Sequence, residues 1–165
     1  MHSKIIQLET CPVGDVGRIE PSNYYTDHWF TSTIADYVDD DDDPNDTLET
    51  LVQILNAGDA GKFERFKDEH GEGVIFRDEF ARAYLEREYK AFEQELRNLV
   101  AKATVDAYCE DKLGMWMYQL NEAYNDKYGF YIQNEDEGLV TLTSFVRSIK
   151  PDTKYYFGGT VDYHF

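Results

Sequence analysis

FRDEFARAYLEREYKAFEQELRNLVAKATVDA, residues 76–107, has the period of one long amphipathic helix. Phe76, Phe80, Tyr84, Leu85, Tyr89, Phe92, Leu96, Leu99, Val100, Ala103 and Ala107 recur at steps of three and four and form one apolar stripe. Asp78/Arg82, Glu86/Lys90 and Glu93/Arg97 each place an acid four residues before a base, the favourable order on a helix surface. No Gly or Pro interrupts the run. At 1.5 Å per residue the helix would be about 48 Å long. Its apolar stripe is expected to be buried along its length.

A second stripe follows. Leu113, Trp116, Met117, Leu120, Ala123 and Tyr124 predict a shorter helix ending near Gly129, folded antiparallel to the first, so that 76–128 form a helical pair. Residues 130–165 change texture. Phe130–Gln133 reads as a strand, Glu135–Gly138 as a turn, and Val140 and Leu142 alternate with Thr141 and Thr143. Lys154–Phe157, Gly158-Gly159 and Thr160–Phe165 predict a two-residue hairpin, because Gly-Gly accepts the positive φ of a primed turn. The expected fold is α+β. A long amphipathic helix and a shorter antiparallel partner pack on a small, mostly antiparallel sheet formed largely by the C-terminal third. The length of 165 residues suits one domain, 1–165.

The N-terminal part is harder to read. Lys4–Leu8 suits a short strand, and 14–28 shows no period. Trp29, Phe30, Ile34, Tyr37 and Val38 return to helical spacing. Asp39–Asp43 is an unbroken acid run, expected in a solvated loop. Asp43 as N-cap, Pro44 at the first position and Gly58 as stop predict a helix near 44–57. Phe63–Phe66 fits either a strand or a helical turn, and 68–73 is a turn by composition.

Charge bounds the function. The chain has 33 acids and 16 bases, a net charge of −17, and residues 1–60 alone carry 13 acids and 2 bases. Direct binding of nucleic acid or an anionic membrane needs clustered Lys and Arg, so neither is expected. No apolar run reaches the length of a membrane span, and Cys11 and Cys109 form no CxxC pair. A soluble cytoplasmic protein is expected. The motifs of phosphate-binding glycine loops, zincins, serine hydrolases and paired-cysteine zinc sites are absent. An EF-hand loop started at Asp39 meets Pro44 where Gly belongs and Thr50 where Glu belongs. Started at Asp41, it meets Asp46 and Val52 at those positions. No metal and no cofactor are expected.

The expected partner is therefore a basic protein surface. The residues assigned to binding it are Asp36, Asp39, Asp40, Asp41 and Asp42, with Trp29 and Tyr37 beside them, and the turn acids Glu135, Asp136 and Glu137. In size, charge and lack of catalytic motifs the chain resembles small acidic anti-restriction and related inhibitor proteins of phages and mobile elements. That resemblance implies mimicry of nucleic acid toward a DNA- or RNA-binding protein. Two other readings stand beside it. One is an accessory or assembly protein whose acidity serves solubility. The other is an enzyme with a site built from separated carboxylates and a His, which a cluster such as His28, His70 and two or more acids in one cleft would favour.

Overall fold

The structure is a computed structural model and describes residues 1–25, 28–40, 47–56 and 62–165. In chain order the elements are β1 (His2–Glu9), α1 (Val13–Val16), a 3-10 turn (Pro21–Tyr24), α2 (Trp29–Thr33), β2 (Tyr37–Asp40) and α3 (Thr47–Asn56). Then come β3 (Phe63–Asp68), β4 (Gly71–Phe76), α4 (Phe80–Lys102), α5 (Val105–Cys109) and α6 (Lys112–Asn125). The chain ends with β5 (Tyr131–Asn134), β6 (Gly138–Thr141), α7 (Leu142–Ser148) and β7 (Lys154–His164). The α+β class is as expected. Among the described residues one mixed sheet runs β3-β4-β7-β1-β5-β6. Only β1–β5 is parallel, and the C-terminal strands supply β5, β6 and the long β7.

Both faces of the sheet are covered. On one face Ile6, Leu8, Val74, Phe76, Ile132 and Tyr155 pack against Leu51 and Leu55 of α3, Phe80 and Tyr84 of α4, and Phe145 of α7. On the other, Ile5, Tyr131, Val161 and Tyr163 pack against Tyr24, Phe30 and Val38. A strand covered on both sides reads as a continuous apolar run, which is why Ile5, Ile6 and Leu8 are all fully buried.

Four expectations are corrected. First, Gly158-Gly159 is not a hairpin turn. β7 runs straight through it, with a bulge opposite Gln7 and Leu8. A Cβ on Gly158 would lie 2.2 Å from Gln7 Oε1, so glycine here admits a close approach. The bulge also flips the parity of β7, moving its buried side chains from Tyr155 on one face to Val161 and Tyr163 on the other.

Second, Phe76 ends β4 rather than opening the helix. Gly73 lets β4 press against β7, where a Cβ would lie 1.9 Å from the Tyr155 carbonyl oxygen. Phe76 still meets Phe80, with ring centroids 4.8 Å apart, so a strand–turn–helix makes the contact that helical spacing suggested.

Third, Tyr37 and Val38 belong to a strand, not to the helix of Trp29. Asp39 and Asp40 continue that strand and are not in a loop.

Fourth, within α4 the long stripe is core only as far as Leu85, and past the end of α4 at Lys102 only its last member, Ala107 of α5, is buried. Phe80 and Tyr84 are the buried residues of α4, and α6 has none. Twenty-three residues make α4 about 35 Å long, and its second half leaves the core. Phe92 meets Tyr124 at 5.3 Å between ring centroids, and Lys102 Nζ lies 5.9 Å from the Trp116 ring, so α4 and α6 are antiparallel as expected. The helix-start and stop signals Asp43, Pro44 and Gly58 lie outside the described residues. The helix itself is present as α3.

Candidate functional site

The acids of residues 36–40 are organised by β2. Tyr37, Val38, Asp39 and Asp40 pair antiparallel with His164, Tyr163, Asp162 and Val161. Val38 turns into the core, while Tyr37, Asp39 and Asp40 stay exposed. Asp36 is fixed just before the strand by its amide, which donates to the His164 carbonyl at 2.7 Å. Its carboxylate lies 3.7 Å from His164 Nδ1. Tyr37 stacks on the His164 ring at 5.0 Å between centroids, the two planes nearly parallel. Asp39 faces Asp162 across the ladder, and Asp162 accepts from His2 Nδ1 at 2.6 Å. Among the described residues β2 pairs only with β7, so this acidic strand is a sheet edge.

Trp29 stands half-exposed at the start of α2, held there because His28 Nδ1 accepts from the Phe30 amide and caps the helix. Phe30 anchors α2 between Tyr131 and Tyr163. Asp41 and Asp42 lie outside the described residues.

Glu135, Asp136 and Glu137 form the β5–β6 turn, closed by the Glu137 amide donating to Asn134 Oδ1 at 2.7 Å. Three strand spacings and several residues separate this turn from β2, a distance of roughly 20 Å. The two sets of acids therefore belong to different surfaces, not to one site.

Glu135 instead borders a cleft of about 360 Å³ at the carboxyl ends of β1 and β5, lined also by Gln7, Glu9, Tyr24, His28 and Gln133. Glu9 is buried, accepting from Gln7 Nε2 at 3.0 Å and from the Glu135 amide at 2.9 Å. Gln7 also donates to the Gly17 carbonyl and accepts from the Ile19 amide. This network closes on itself and pins residues 17–19 over the sheet. Burial, with Glu9 and Glu135 nearby, pushes the Cys11 thiol up, away from the reactive thiolate. Gln7 and Glu9 escaped the sequence reading because polar residues alternating in a strand look like a wet face.

His28 lines this cleft. His70 sits in the β3–β4 turn beside Glu69 at 3.4 Å and is not part of it. His28 shares this cleft with Glu9 and Glu135, and His70 lies outside it. No three His, Cys, Asp or Glu side chains converge as metal ligands among the described residues. No helix among them is long and apolar enough to cross a membrane.

A second concavity, about 490 Å³, lies between α4 and α6. Tyr89, Phe92, Ala123 and Tyr124 make it apolar, and Glu88, Asp126 and Thr143 line it as well. Asp126 closes α6 in the left-handed conformation, φ 52°. Burial and the neighbouring Glu88 push its carboxyl up to about 6, against a hydrogen bond from Thr143. The stripe of residues 76–107 already contained Tyr89 and Phe92, but its period could not tell a covered face from an open one.

The chain matches no family model, and it has no significant match among curated proteins or solved structures.

Proposed function

We propose that this chain is a non-enzymatic binding protein that docks a basic partner surface through the β2 edge. One observation carries the reading. Asp36, Asp39 and Asp40 are held by backbone pairing on an open strand edge, with Asp162 opposite and exposed Tyr37 alongside. Carboxylates carried on a paired strand, Asp39 on the face of Tyr37 and Asp40 on the face of Val38, meet a cationic surface without first ordering a loop, which lowers the cost of association. Aromatic side chains beside it supply contact area. The sharpest form of the reading is a nucleic-acid mimic that inhibits a DNA- or RNA-binding protein of the kind met by phages and mobile elements.

Acids on a sheet edge also prevent edge-to-edge pairing, and the experiment separates the two roles. A peptide of ten arginines serves as the basic probe. Asp36→Asn, Asp39→Asn and Asp40→Asn together should slow its association about tenfold at low salt, and the effect should shrink as salt screens it. Neutralising Glu135, Asp136 and Glu137 should do much less. Equal losses from both triple variants, or association indifferent to salt, would refute docking at β2. Self-association of the β2 variant without loss of peptide binding would assign the acids to edge protection. The mimic is tested separately, by whether the protein protects duplex DNA from restriction endonucleases.

A second reading, an accessory or assembly protein, is favoured by a different observation: the apolar face left open on α4 and α6.

A further inference from the structure

We infer that α4 and α6 form a self-association surface, and that a second copy of this chain covers it. The inference does not depend on docking at β2.

The exposed stripe is specific. Tyr89, Leu96 and Val100 are 60%, 39% and 67% exposed, and steps of seven and four residues put them on one line of α4. Across the groove, Met117 and Tyr124 are 62% and 56% exposed, and their spacing of seven places them on one flank of α6. Tyr124 meets Phe92 at 5.3 Å and shares the groove with Tyr89, so the two lines form one surface. Together these side chains expose roughly 500 Å² of mostly apolar area, at the upper range of what a monomer shows. With the half-buried Phe92 and Leu120 and the stems of flanking charged residues, this approaches the ~800 Å² per partner of a stable dimer.

Charge selects the occupant. Residues 80–125 carry eight acids and six bases, a net charge of −2, while the other 119 residues carry −15. Two copies of a chain at −17 repel each other least where they meet through this arm. The charges beside the stripe are already paired along the helix: Arg97 donates to Glu93 at 2.7 Å, and Arg82 pairs with Glu86.

The stripe is also self-complementary, as a two-fold contact requires. Antiparallel packing of α4 on its copy, with the axis between Gln94 and Glu95, sets Tyr89 against Val100. It places Glu86, Glu88, Glu93 and Glu95 level with Ala103, Ala101, Leu96 and Gln94, so that no acid is level with an acid. Arg87 and Lys102 would be level with each other, but both are held in their own chain, over the rings of Tyr84 and Trp116. The partner's Leu96 then falls near the axis, beside the groove.

Sedimentation equilibrium of the full chain tests this. A dimer should form, and it should tighten as salt rises and screens the repulsion. That is the opposite sign to docking at β2, so the two readings fail independently. Leu96→Glu with Val100→Glu should weaken association by about a hundredfold or more, because each charge would enter an apolar interface. Both positions are partly or largely exposed in the monomer, so the helix should persist, as circular dichroism would show. Met115→Glu with Tyr118→Glu, on the other flank of α6, should leave the dimer intact. A chain still monomeric at about 100 μM in high salt, where screening is strongest, would overturn the inference. So would a dimer unaffected by the Leu96/Val100 pair, or one abolished equally by the Met115/Tyr118 pair.

Discussion

Replacing Asp126 by Asn should stabilise the protein at neutral and alkaline pH and do little at acid pH. The Asp126 carboxyl titrates near 6 in the fold, raised by burial and then by Glu88, against an ordinary value of 3.8. The folded state therefore holds this proton more tightly than the unfolded chain. The resulting stabilisation is complete below the unfolded value and is lost as pH rises through about 6. Above that, the ionised group sits in an unfavourable place. Two pH units correspond to about 3 kcal/mol. The group is only partly buried, so water screens part of this, and a gain of about 1–2 kcal/mol for Asn at pH 8 is the expected outcome. Asn tolerates the left-handed φ of this position as well as Asp does, and its side-chain oxygen can accept from Thr143. Urea titrations of both proteins at pH 8, 5 and 4 measure the difference. The gain should fall to roughly half at pH 5 and be mostly gone at pH 4. An Asn variant that is no more stable at pH 8, or whose gain is flat with pH, would refute the assigned burial.

Further outcomes follow from packing. Phe80→Ala should cost about 3–5 kcal/mol, because Phe80 is fully buried among Phe63, Phe76 and Tyr84, while Phe92→Ala should cost only about 1–2. Equal costs in urea titration would mean that the core continues past Leu85. Gly158→Ala should cost about 2–3 kcal/mol, since its new methyl meets a Gln7 side chain pinned by three hydrogen bonds, while Gly159→Ala, with open space around it, should change stability by less than about 0.5. Thermal melts of the two variants decide whether the pair is a bulge or a turn, because a primed turn would penalise both.

Much of the secondary structure could be read from period alone, but what each period packs against could not. The stripe from Phe80 to Val100 is helical as its spacing predicts, yet its burial ends where the sheet does, and sheet size is not a local property. Phe76 and Phe80 touch in a helix and in a strand–turn–helix alike, so their spacing could not place the boundary. Gly158-Gly159 suits both a primed turn and a bulge. The choice was made by Gln7, 151 residues away in sequence. The acids show the same limit. The sequence assigned Asp36, Asp39 and Asp40 and the turn acids Glu135–Glu137 to the same basic partner, but β7 and β1 lie between β2 and the β5–β6 turn. Buried Glu9 was invisible because only topology reveals that β1 is central.

The charge asymmetry of the sequence acquires a structural meaning once β2 and α4 are placed. Val38 of β2 anchors in the cluster on one face of the sheet, and Phe80 and Tyr84 of α4 anchor in the cluster on the other. The acidic edge and the near-neutral apolar arm are thus fixed to opposite layers of one core. A contact made by the edge depends on opposite charge and weakens with salt, and a contact made by the arm depends on apolar area and is opposed only by net repulsion, so it strengthens with salt. Pairing two chains through the arm would leave both β2 edges open and raise the local density of carboxylates offered to one cationic partner. Binding through two edges at once gains from effective concentration without any new contact. If both surfaces act, disrupting the arm with Leu96→Glu and Val100→Glu should weaken capture of a long polyarginine chain far more than capture of a ten-residue one. A ten-residue chain reaches at most about 35 Å, and a longer one has correspondingly more reach to engage two edges. Equal weakening of both, measured by calorimetry at one salt concentration, would show that the two surfaces do not cooperate.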